Sequence, residues 1–478
     1  MHFTDKAMTS YEWIYQIEQQ LPFTSTAGQQ AAIETVSQFL ADASPRVAMI
    51  LRGSAGTGKT SVAQAIVYAM LTMRQKVALL APTGRAAKVF SRGKAFTIHR
   101  YIYRQDAYMS EKFSLNQNLH TDTLFMVDEA SMISTVPAGE DIGRSLLDDL
   151  VEYVYSGRNC RLMLIGDTAQ LPPIGCEEAP ALQTAVIEGY GLQVYSIDLD
   201  EVLRQSADSG ILTNATMLRH MITHDEMTEL PRIHFQGFAD ISICHGQEII
   251  DQLASSYDHV GMDETIVITR SNKNSNIYNM GIRNQVLWYE DELCSGDQVM
   301  IVKNNYFWTA PTPDNEDSPL PSFLANGDHA VVRRVRRCRS FYGFTFADVT
   351  LRFPDYDDAE LEVTALLDTL HTDAPALTAA QQEILYNKVM EDYADIPQKA
   401  ERHKRLKEDT YFNALQLKYA YAITCHKAQG GQWAHVYLDQ GYMTDDMLSP
   451  SYIHWLYTAF TRATKHLYLV NWPETQVI

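Results

Sequence analysis

The chain has 478 residues, of which 46% are apolar, 21% charged and 10% aromatic. This composition is sufficient for packed cores and excludes a disordered or fibrous chain, and the length predicts about three to four folded units. Aspartate and glutamate (59) outnumber lysine and arginine (39), which gives a formal charge of −20. Taken alone, that charge argues against a protein with a generally basic surface for holding a polyanion.

The cysteines and the apolar runs indicate the cellular compartment of the protein. Its six cysteines are scattered, with no CxxC pair and no Cys/His cluster at zinc spacing, which is typical of reduced thiols in the cytosol. The longest uninterrupted apolar run, Ala65–Leu71, is far shorter than the ~18 residues that span a bilayer. The N-terminal residues lack the basic and apolar segments of a secretory signal. We therefore expect a soluble, cytoplasmic protein without a membrane partner.

Short apolar runs alternate with segments of helical period in the first half of the chain. Runs that are apolar at every position are typical of parallel strands buried on both faces. Four of them are Val47–Leu51, Val77–Leu80, Leu124–Val127 and Leu162–Ile165. The alternation predicts an α/β domain built on a parallel sheet.

A glycine-rich segment, GSAGTGKT, follows the first of these strands directly and fits the P-loop pattern GxxxxGK[ST]. Glycines let the backbone N–H groups turn toward phosphates, and the start of the next helix adds a positive dipole end. We expect Lys59 to reach the β- and γ-phosphates and the Thr60 hydroxyl to bind Mg²⁺. The predicted nucleotide-binding residues are Gly53, Ser54, Ala55, Gly56, Thr57, Gly58, Lys59 and Thr60.

Acidic and amide side chains at two later strand ends complete a predicted nucleoside triphosphate hydrolase. Asp128 follows the run Leu124–Val127 and is expected to hold Mg²⁺, while Glu129 is expected to polarise the attacking water. Gln170, in the segment GDTAQLPPIG, is placed to sense the γ-phosphate. No NKxD motif for reading guanine occurs, which disfavours a GTPase.

These motifs, taken in order, resemble those of superfamily 1 helicases of the RecD/Dda-like, 5′-to-3′ branch. The resemblance covers about residues 26–470 and includes APTGRAA, TIH, VDEASM, LDEVLRQ, YAITCHKAQGGQ and LYTAFTRATKHLYLV. It implies that Gln29 reads adenine and that Arg204 and Arg462 bring positive charge to ATP from the second domain. Such arginine fingers typically accelerate phosphoryl transfer ~10³–10⁵-fold.

The resemblance also implies a track for one nucleic-acid strand and a pin that splits the duplex. Thr, His and backbone N–H groups grip phosphates without reading sequence, as a translocase requires. The pin is expected in a hairpin inserted at residues 100–122, where Phe113 would stack on the last base pair. The alternative is that Phe113 is a partly buried core side chain. The track is expected to comprise Pro82, Thr83, His99, Thr424 and His426.

The resemblance and the sequence pattern together predict two RecA-like P-loop domains with two insertions. The first domain is expected over residues 1–200, and the second over 201–300 plus 415–478. Residues 301–414 contain β-rich, turn-separated segments that suggest a small SH3-like barrel, followed by a charged helical segment. That helical segment is read as a solvated insertion, and in the related family a tower here braces the strand-separating element.

An arginine-rich run within the barrel segment leaves two interpretations open. Residues 333–339 contain five arginines, and residues 354–362 contain five acids. The arginines either pair with those acids or contact phosphates.

The sequence thus predicts a 5′-to-3′ DNA helicase that uses ATP and Mg²⁺ and unwinds duplex DNA by moving along single-stranded DNA. It is expected to be a monomer, with replication or repair proteins as partners. An RNA helicase of the same superfamily and a nucleic-acid-binding ATPase that does not unwind are the alternatives, since no 2′-hydroxyl discriminator is evident. The charge of −20 does not exclude nucleic acid, because local charge in the track outweighs the total.

Overall fold

The computed structural model describes residues 8–91, 95–105, 113–137, 144–201, 208–224, 229–309, 320 and 323–478. A parallel six-stranded sheet forms the first domain, in the spatial order β3-β2-β6-β7-β1-β8, and β4 and β5 form a separate antiparallel hairpin. The strands are β1 (Val47–Gly53), β2 (Lys76–Ala81), β3 (Phe96–Thr97), β4 (Tyr103–Gln105), β5 (Phe113–Leu115), β6 (Thr123–Val127), β7 (Arg161–Gly166) and β8 (Gln193–Leu199).

Helices cover both faces of this sheet, which explains why its strands are apolar at every position. Along β1, Met49 packs into one core with Trp13 and Ile33, whereas Ile50 packs into another with Leu147. The predicted α/β domain is therefore confirmed. The helices are α1 (Ser10–Glu18), α2 (Ala27–Ala41), α3 (Lys59–Thr72), α4 (Gly84–Ser91), α5 (Ile98–Ile102), α6 (Leu146–Ser156) and α7 (Thr184–Glu188).

The second domain begins with two strands of another parallel sheet and three helices. A π-helical segment, Ile282–Val286, follows the last of these helices and leads toward the inserted barrel. These elements are β9 (Ile241–Cys244), β10 (Thr265–Thr269), α8 (Gly210–His224), α9 (Ile249–His259) and α10 (Asn272–Gly281).

A closed five-stranded barrel interrupts the second domain, as predicted. Neighbouring strands are antiparallel except for the pair β14 and β15. The barrel comprises β11 (Gln298–Ile301), β12 (His329–Phe341), β13 (Phe344–Phe353), β14 (Ala359–Leu366) and β15 (Leu415–Tyr419).

The barrel extends beyond the predicted boundaries of 301 and 414. Strand β11 begins at Gln298, and β15 ends at Tyr419 and passes into the motor sheet after two residues. Because the chain runs from barrel to motor sheet almost without a loop, no composition change marks the boundary. The assignment of residues 415–419 to the second motor domain was therefore wrong.

Two helices of the insertion, α11 (Ala379–Glu391) and α12 (Lys399–Lys407), pack against the outside of the barrel. Leu385, Val389 and Leu406 form their buried stripe and share a small core with Phe344 and Phe346 of β13. The remaining helical surface is largely exposed and charged, which matches the predicted solvated insertion. The tower role stays a prediction.

The chain then returns to the second sheet, whose parallel strands have the order β16-β10-β17-β18-β9. This completes a second RecA-like domain, as predicted. Among the described residues, no helix combines the length and the apolar character needed to cross a membrane. The closing elements are β16 (Ala422–Thr424), β17 (Trp433–Asp439), β18 (Ala463–Val470), α13 (Cys425–Ala428) and α14 (Pro450–Phe460).

Candidate nucleotide and nucleic-acid site

The glycine-rich segment forms the loop between β1 and α3. Gly56 and Gly58 adopt φ values of 80° and 81°, in the left-handed region that glycine tolerates without steric cost. Gly58 precedes the first turn of α3, and no side chain caps that helix start. The first backbone N–H groups of a helix lack intrahelical partners and favour anions. The loop therefore has the geometry of a phosphate site.

Lys59 and Gln29 both contact the carbonyl groups of this loop. The Lys59 Nζ donates to the carbonyl of Gly53 at 2.9 Å. The buried Gln29 donates from Nε2 to the carbonyl of Thr57 at 3.2 Å, and its Oε1 accepts from the Thr26 N–H at 3.1 Å. Gln29 thus ties the start of α2 to the P-loop, and its reading of adenine stays a prediction.

Two carboxylates lie at the end of β6, on the sheet edge that carries the loop. Asp128 Oδ1 accepts from the Glu129 N–H at 2.9 Å, and Glu129 has a left-handed φ of 52°. Burial, followed by the negative charge of Glu129, raises the pKa of Asp128 to about 6, while Lys59 opposes the rise. The carboxyl pair and the lysine therefore share one electrostatic environment.

Four buried side-chain oxygens around this edge have no hydrogen-bond partner in the described part of the chain. Buried polar atoms are nearly always paired in native proteins, so a cluster of four unpaired oxygens beside the P-loop calls for an explanation, which a ligand would provide. A triphosphate with Mg²⁺ fits this donor set, with Thr60 and Asp128 as the residues that would hold the metal. The unpaired atoms are Ser54 Oγ, Glu129 Oε2, Ser131 Oγ and Gln170 Oε1.

Arg462 lies just beyond α14 and is 3% exposed. Its guanidinium donates to the carbonyls of Thr458 at 3.0 Å and Gly431 at 3.2 Å, and to Thr461 Oγ1 at 3.0 Å. Within the described ranges, no carboxylate forms an ion pair with it. A guanidinium held only by neutral oxygens keeps its charge available for an anion. The other predicted finger, Arg204, lies outside the described residues.

A tyrosine that sequence reasoning missed connects the second domain to the P-loop. The hydroxyl of Tyr457, on α14, accepts from the Ala55 N–H at 2.9 Å and donates to Asp167 Oδ2 at 2.5 Å. Asp167 Oδ1 in turn accepts from the Ala169 N–H at 3.0 Å. Both residues stand in segments that the sequence marked, GDTAQLPPIG and LYTAFTRATKHLYLV, but nothing local indicated that they meet.

Three further hydrogen bonds join residues 169–171 to the second domain. The Leu171 N–H donates to Thr458 Oγ1 at 2.7 Å, and Gln429 Nε2 donates to the Leu171 carbonyl at 2.6 Å. The His454 ring lies 2.9 Å from the carbonyl of Ala169, measured from Nδ1. We call this set of contacts between residues 167–171 and the second domain the cleft seam. It brings the two domains together beside the P-loop.

The predicted track residues of the two domains lie at corresponding strand ends. Pro82 and Thr83 follow β2, and Thr424 ends β16. A Cβ added to Gly430 would lie 3.1 Å from Thr83 Oγ1, so the loops that carry the two halves of the predicted track touch. His426 is exposed next to Thr424. The structure thus brings Thr83 close to the Thr424–Gly430 loop, and their contact with nucleic acid stays a prediction.

His99 and the hairpin form the next part of the first domain. The His99 ring lies 5.6 Å from that of Tyr103 and 5.7 Å from that of Phe323, between centroids. Burial lowers the pKa of His99 to about 4, so the ring is neutral at physiological pH. Phe113 lies opposite Gln105 in the β4–β5 pair. The hairpin tip, 106–112, and the Phe113 side chain lie outside the described part, so the pin stays a prediction.

Arginines of strand β12 form ion pairs with acidic side chains, which is the first of the two interpretations that the sequence left open. Arg333 bonds Glu360 at 3.1 Å, and the closest charged atoms of Arg336 and Glu362 are 3.6 Å apart. A third arginine, Arg339, pairs with Asp348 of β13. The ion pairs to Glu360 and Glu362 cross over β13, which lies between β12 and β14.

Two families match the chain in these regions. The family described as "AAA domain" matches residues 24–235, and the one described as "UvrD-like helicase C-terminal domain" matches residues 419–470. The first range contains the P-loop and the acidic strand end. The second contains Gln429, Tyr457 and Arg462.

Known proteins are similar to the chain at low identity. An uncharacterized protein of Methanocaldococcus jannaschii is 24% identical over 90% of the chain, and the chain spans only 37% of that relative. The ATP-dependent RecD2 DNA helicase of Deinococcus radiodurans is 32% identical over 36% of the chain and 22% of its own length. A solved structure, Pif1 helicase from Bacteroides in complex with ADP-AlF3 and ssDNA, covers 95% of each chain at 14% identity and a TM-score of 0.47.

Proposed function

We propose that the chain is a superfamily 1 helicase of the RecD-like branch, an ATP-dependent DNA helicase that moves 5′ to 3′ along single-stranded DNA. The two family matches and the RecD2 relative support this proposal. The RecD2 relative is named as a DNA helicase, which supports DNA as the partner. The 5′-to-3′ polarity is carried over from the family that the chain resembles, as part of the proposal.

One observation carries the proposal: the P-loop lies against the second RecA-like domain. The N–H of Ala55 in the loop bonds Tyr457, and the strand end that carries Gln170 bonds Thr458 and Gln429. A triphosphate in the loop would therefore lie between the two domains. Binding and hydrolysis there can change how the domains pack, which is what a stepping motor requires.

Each side chain of the cleft has a role in this proposal. Lys59 binds the phosphates and Glu129 accepts a proton from the attacking water, since its unpaired Oε2 is buried and available. Arg462 supplies positive charge from the second domain, and Arg204 is proposed to do the same. Thr60 and Asp128 would hold Mg²⁺, which when bound offsets the charge of the phosphates.

The grip on nucleic acid is proposed to alternate between the two domains. Pro82, Thr83 and His99 would hold the strand on the first domain, and Thr424 and His426 on the second. A neutral His99 grips by hydrogen bonding and stacking and does not act as a cation. Both halves of the cleft lie in one chain, which favours a monomer as the working unit, with replication or repair proteins as its partners.

Strand displacement on 5′-tailed, 3′-tailed and blunt duplexes, with and without ATP, tests the activity. We expect unwinding only of the 5′-tailed substrate and only with ATP. Opening of 3′-tailed duplexes alone would contradict the polarity. ATPase stimulation by poly-dT, compared with poly-U, separates a DNA motor from an RNA motor, and no stimulation by either would indicate a binding protein that does not translocate.

Lys59→Ala tests the site assignment in the same assays. We expect loss of ATP hydrolysis and of unwinding, because the charge that binds the β- and γ-phosphates is removed. Lys76→Ala is the matched control, since Lys76 bonds Thr121 on the far end of β2 and is remote from the loop. A Lys59→Ala protein that hydrolyses ATP normally would show that the site is wrong.

A further inference from the structure

The Tyr457 hydroxyl occupies one of the N–H groups of the P-loop. Tyr457 is 1% exposed and Asp167 is 3% exposed, so water does not compete for their contact. The hydroxyl donates its only proton to Asp167 Oδ2 at 2.5 Å and is thereby left to accept from the Ala55 N–H at 2.9 Å. The direction of both hydrogen bonds is fixed by this chemistry.

The protonation of Tyr457 does not change in the physiological range. Burial, and then the negative charge of Asp167, raise the pKa of the Tyr457 hydroxyl well above its usual value. The group therefore remains a neutral hydroxyl, which donates its proton to Asp167 and accepts one hydrogen bond from the Ala55 N–H. A phosphate oxygen is a stronger acceptor for a backbone N–H, because it is ionised.

The position of Tyr457 on α14 connects this hydroxyl to the rest of the cleft. Thr458, the next residue, accepts from Leu171 N–H through its side chain, and its carbonyl holds Arg462. One helix segment therefore carries the hydroxyl that contacts the P-loop, a side chain of the cleft seam and the carbonyl that holds the proposed arginine finger.

We propose that Tyr457 is a positioning residue that reports nucleotide occupancy, because its hydroxyl and a nucleotide phosphate compete for the Ala55 N–H. When the phosphate takes that N–H, the tyrosine retains only Asp167, so α14 loses its hydrogen bond to the P-loop, and Arg462 can shift with the Thr458 carbonyl that holds it. This inference rests on the proposed ATP site and goes beyond it by naming how the second domain senses the nucleotide.

Tyr457→Phe tests the proposal because it removes the hydroxyl and keeps the buried ring. The competing acceptor is lost, so we expect a fluorescent ADP analogue to bind about two- to twelve-fold more tightly, the range that corresponds to one hydrogen bond of about 0.5–1.5 kcal/mol. We also expect fewer base pairs unwound per ATP hydrolysed, since occupancy no longer reaches α14. A purely structural defect would instead weaken nucleotide binding.

Tyr452→Phe is the matched control. Tyr452 is a buried tyrosine on the same helix, and its hydroxyl donates to Gln440 Oε1 at 2.5 Å and does not touch the P-loop. We expect this variant to bind the ADP analogue as the wild type does. An unchanged or weaker affinity of folded Tyr457→Phe, or an equal tightening in both variants, would overturn the proposal.

Asp167→Asn provides a second variant should Tyr457→Phe not fold. A neutral amide accepts the tyrosine proton more weakly than a carboxylate, so nucleotide binding should tighten in the same direction by a smaller factor. In the double variant the two changes should not add, because both act through one hydroxyl. Asp167→Asn binding no tighter than the wild type would refute the proposal. If the wild-type protein bound no nucleotide at all, the proposed function itself would fail first.

Discussion

Two buried charge clusters in this chain differ in how completely they are satisfied. At the P-loop, Glu129 keeps an unpaired buried oxygen beside Asp128. At the junction between the second domain and the barrel, Arg283 and Asp297 are both under 3% exposed and form a bidentate pair at 2.8 and 2.9 Å. Tyr421 completes that cluster by donating to Asp297 at 2.8 Å.

The difference separates a site that binds from a site that holds the fold. A buried charge without a partner is costly unless a ligand supplies what is missing, whereas a paired charge is costly only when its partner is removed. The first cluster therefore fits the proposed nucleotide site, where a cation bound with the triphosphate would offset the charge of the carboxylates. The second fixes the barrel to the motor domain just before the Thr424 segment.

The largest expected effect is that of Glu129→Gln on the rate of hydrolysis. Losing the proposed general base should lower kcat by ~10²–10⁴-fold, while the free energy of unfolding stays equal or rises because an unpaired buried carboxylate is replaced by a neutral amide. Steady-state ATPase assays with saturating DNA and urea unfolding measure both quantities. Glu34→Gln, on the exposed face of α2, is the control. A destabilised Glu129→Gln protein with normal kcat would reverse the assignment of the two clusters.

Asp297→Ala should have the opposite profile. It leaves the Arg283 guanidinium buried without its partner, so we expect the free energy of unfolding to fall by about 3–5 kcal/mol, with kcat of the folded protein nearly unchanged. Urea denaturation followed by circular dichroism measures the loss. Replacing the pair together, as Arg283→Met with Asp297→Leu, should recover most of it. A fall in kcat without loss of stability would place this cluster in the catalytic machinery.

The local parts of the site could be predicted from the sequence, because their chemistry is contained in short segments. The P-loop needs a strand, glycines and a helix in succession, and Asp128 and Glu129 stand directly after an apolar strand. Each of these patterns spans under about a dozen residues. The two parallel sheets and the inserted barrel were predicted from the apolar and turn-separated segments together with the family resemblance.

Contacts between distant segments could not be predicted in this way. The Tyr457–Asp167 hydrogen bond joins residues 290 positions apart. Nothing in either segment distinguishes this tyrosine from a core residue. The ion pairs of Arg333 and Arg336 were undecided for the same reason, since their acids approach only when β14 folds beside β13. The barrel boundary at Tyr419 was missed because barrel and motor strands are nearly continuous.

A third buried acid, Asp328, makes the stability of the protein depend on pH. It accepts from the Ala325 N–H and from the Tyr356 hydroxyl but has no arginine partner among the described residues, and burial raises its pKa from the ordinary 3.8 to about 7. Between these values the folded protein holds a proton that the unfolded chain has lost. Its contribution to stability therefore falls as the pH rises from about 4 to 7 and is constant above that.

Asp328→Asn should remove this part of the pH dependence, because the amide cannot ionise and the Tyr356 hydroxyl can turn to accept from it. We expect the Tm of the wild type, relative to that of Asp328→Asn, to be higher at pH 5 than at pH 8. Thermal unfolding across this range measures the difference. Parallel Tm profiles for the two proteins would show that Asp328 ionises normally.

The smallest expected effect belongs to the exposed arginines of β12. Arg333 and Glu360 are 55% and 51% exposed, so solvent screens their pairing and Arg333→Ala should cost about 0–1 kcal/mol. Because its charge is already offset by Glu360, we expect DNA affinity and its salt dependence to stay as in the wild type. A phosphate contact would instead lower the slope of log affinity against log salt by about one.

Arg337, exposed on the same strand and without an ion pair in the described ranges, is the matched comparison. A lower slope for Arg337→Ala but not for Arg333→Ala would show that, even in a chain with a charge of −20, only unpaired arginines are available to DNA.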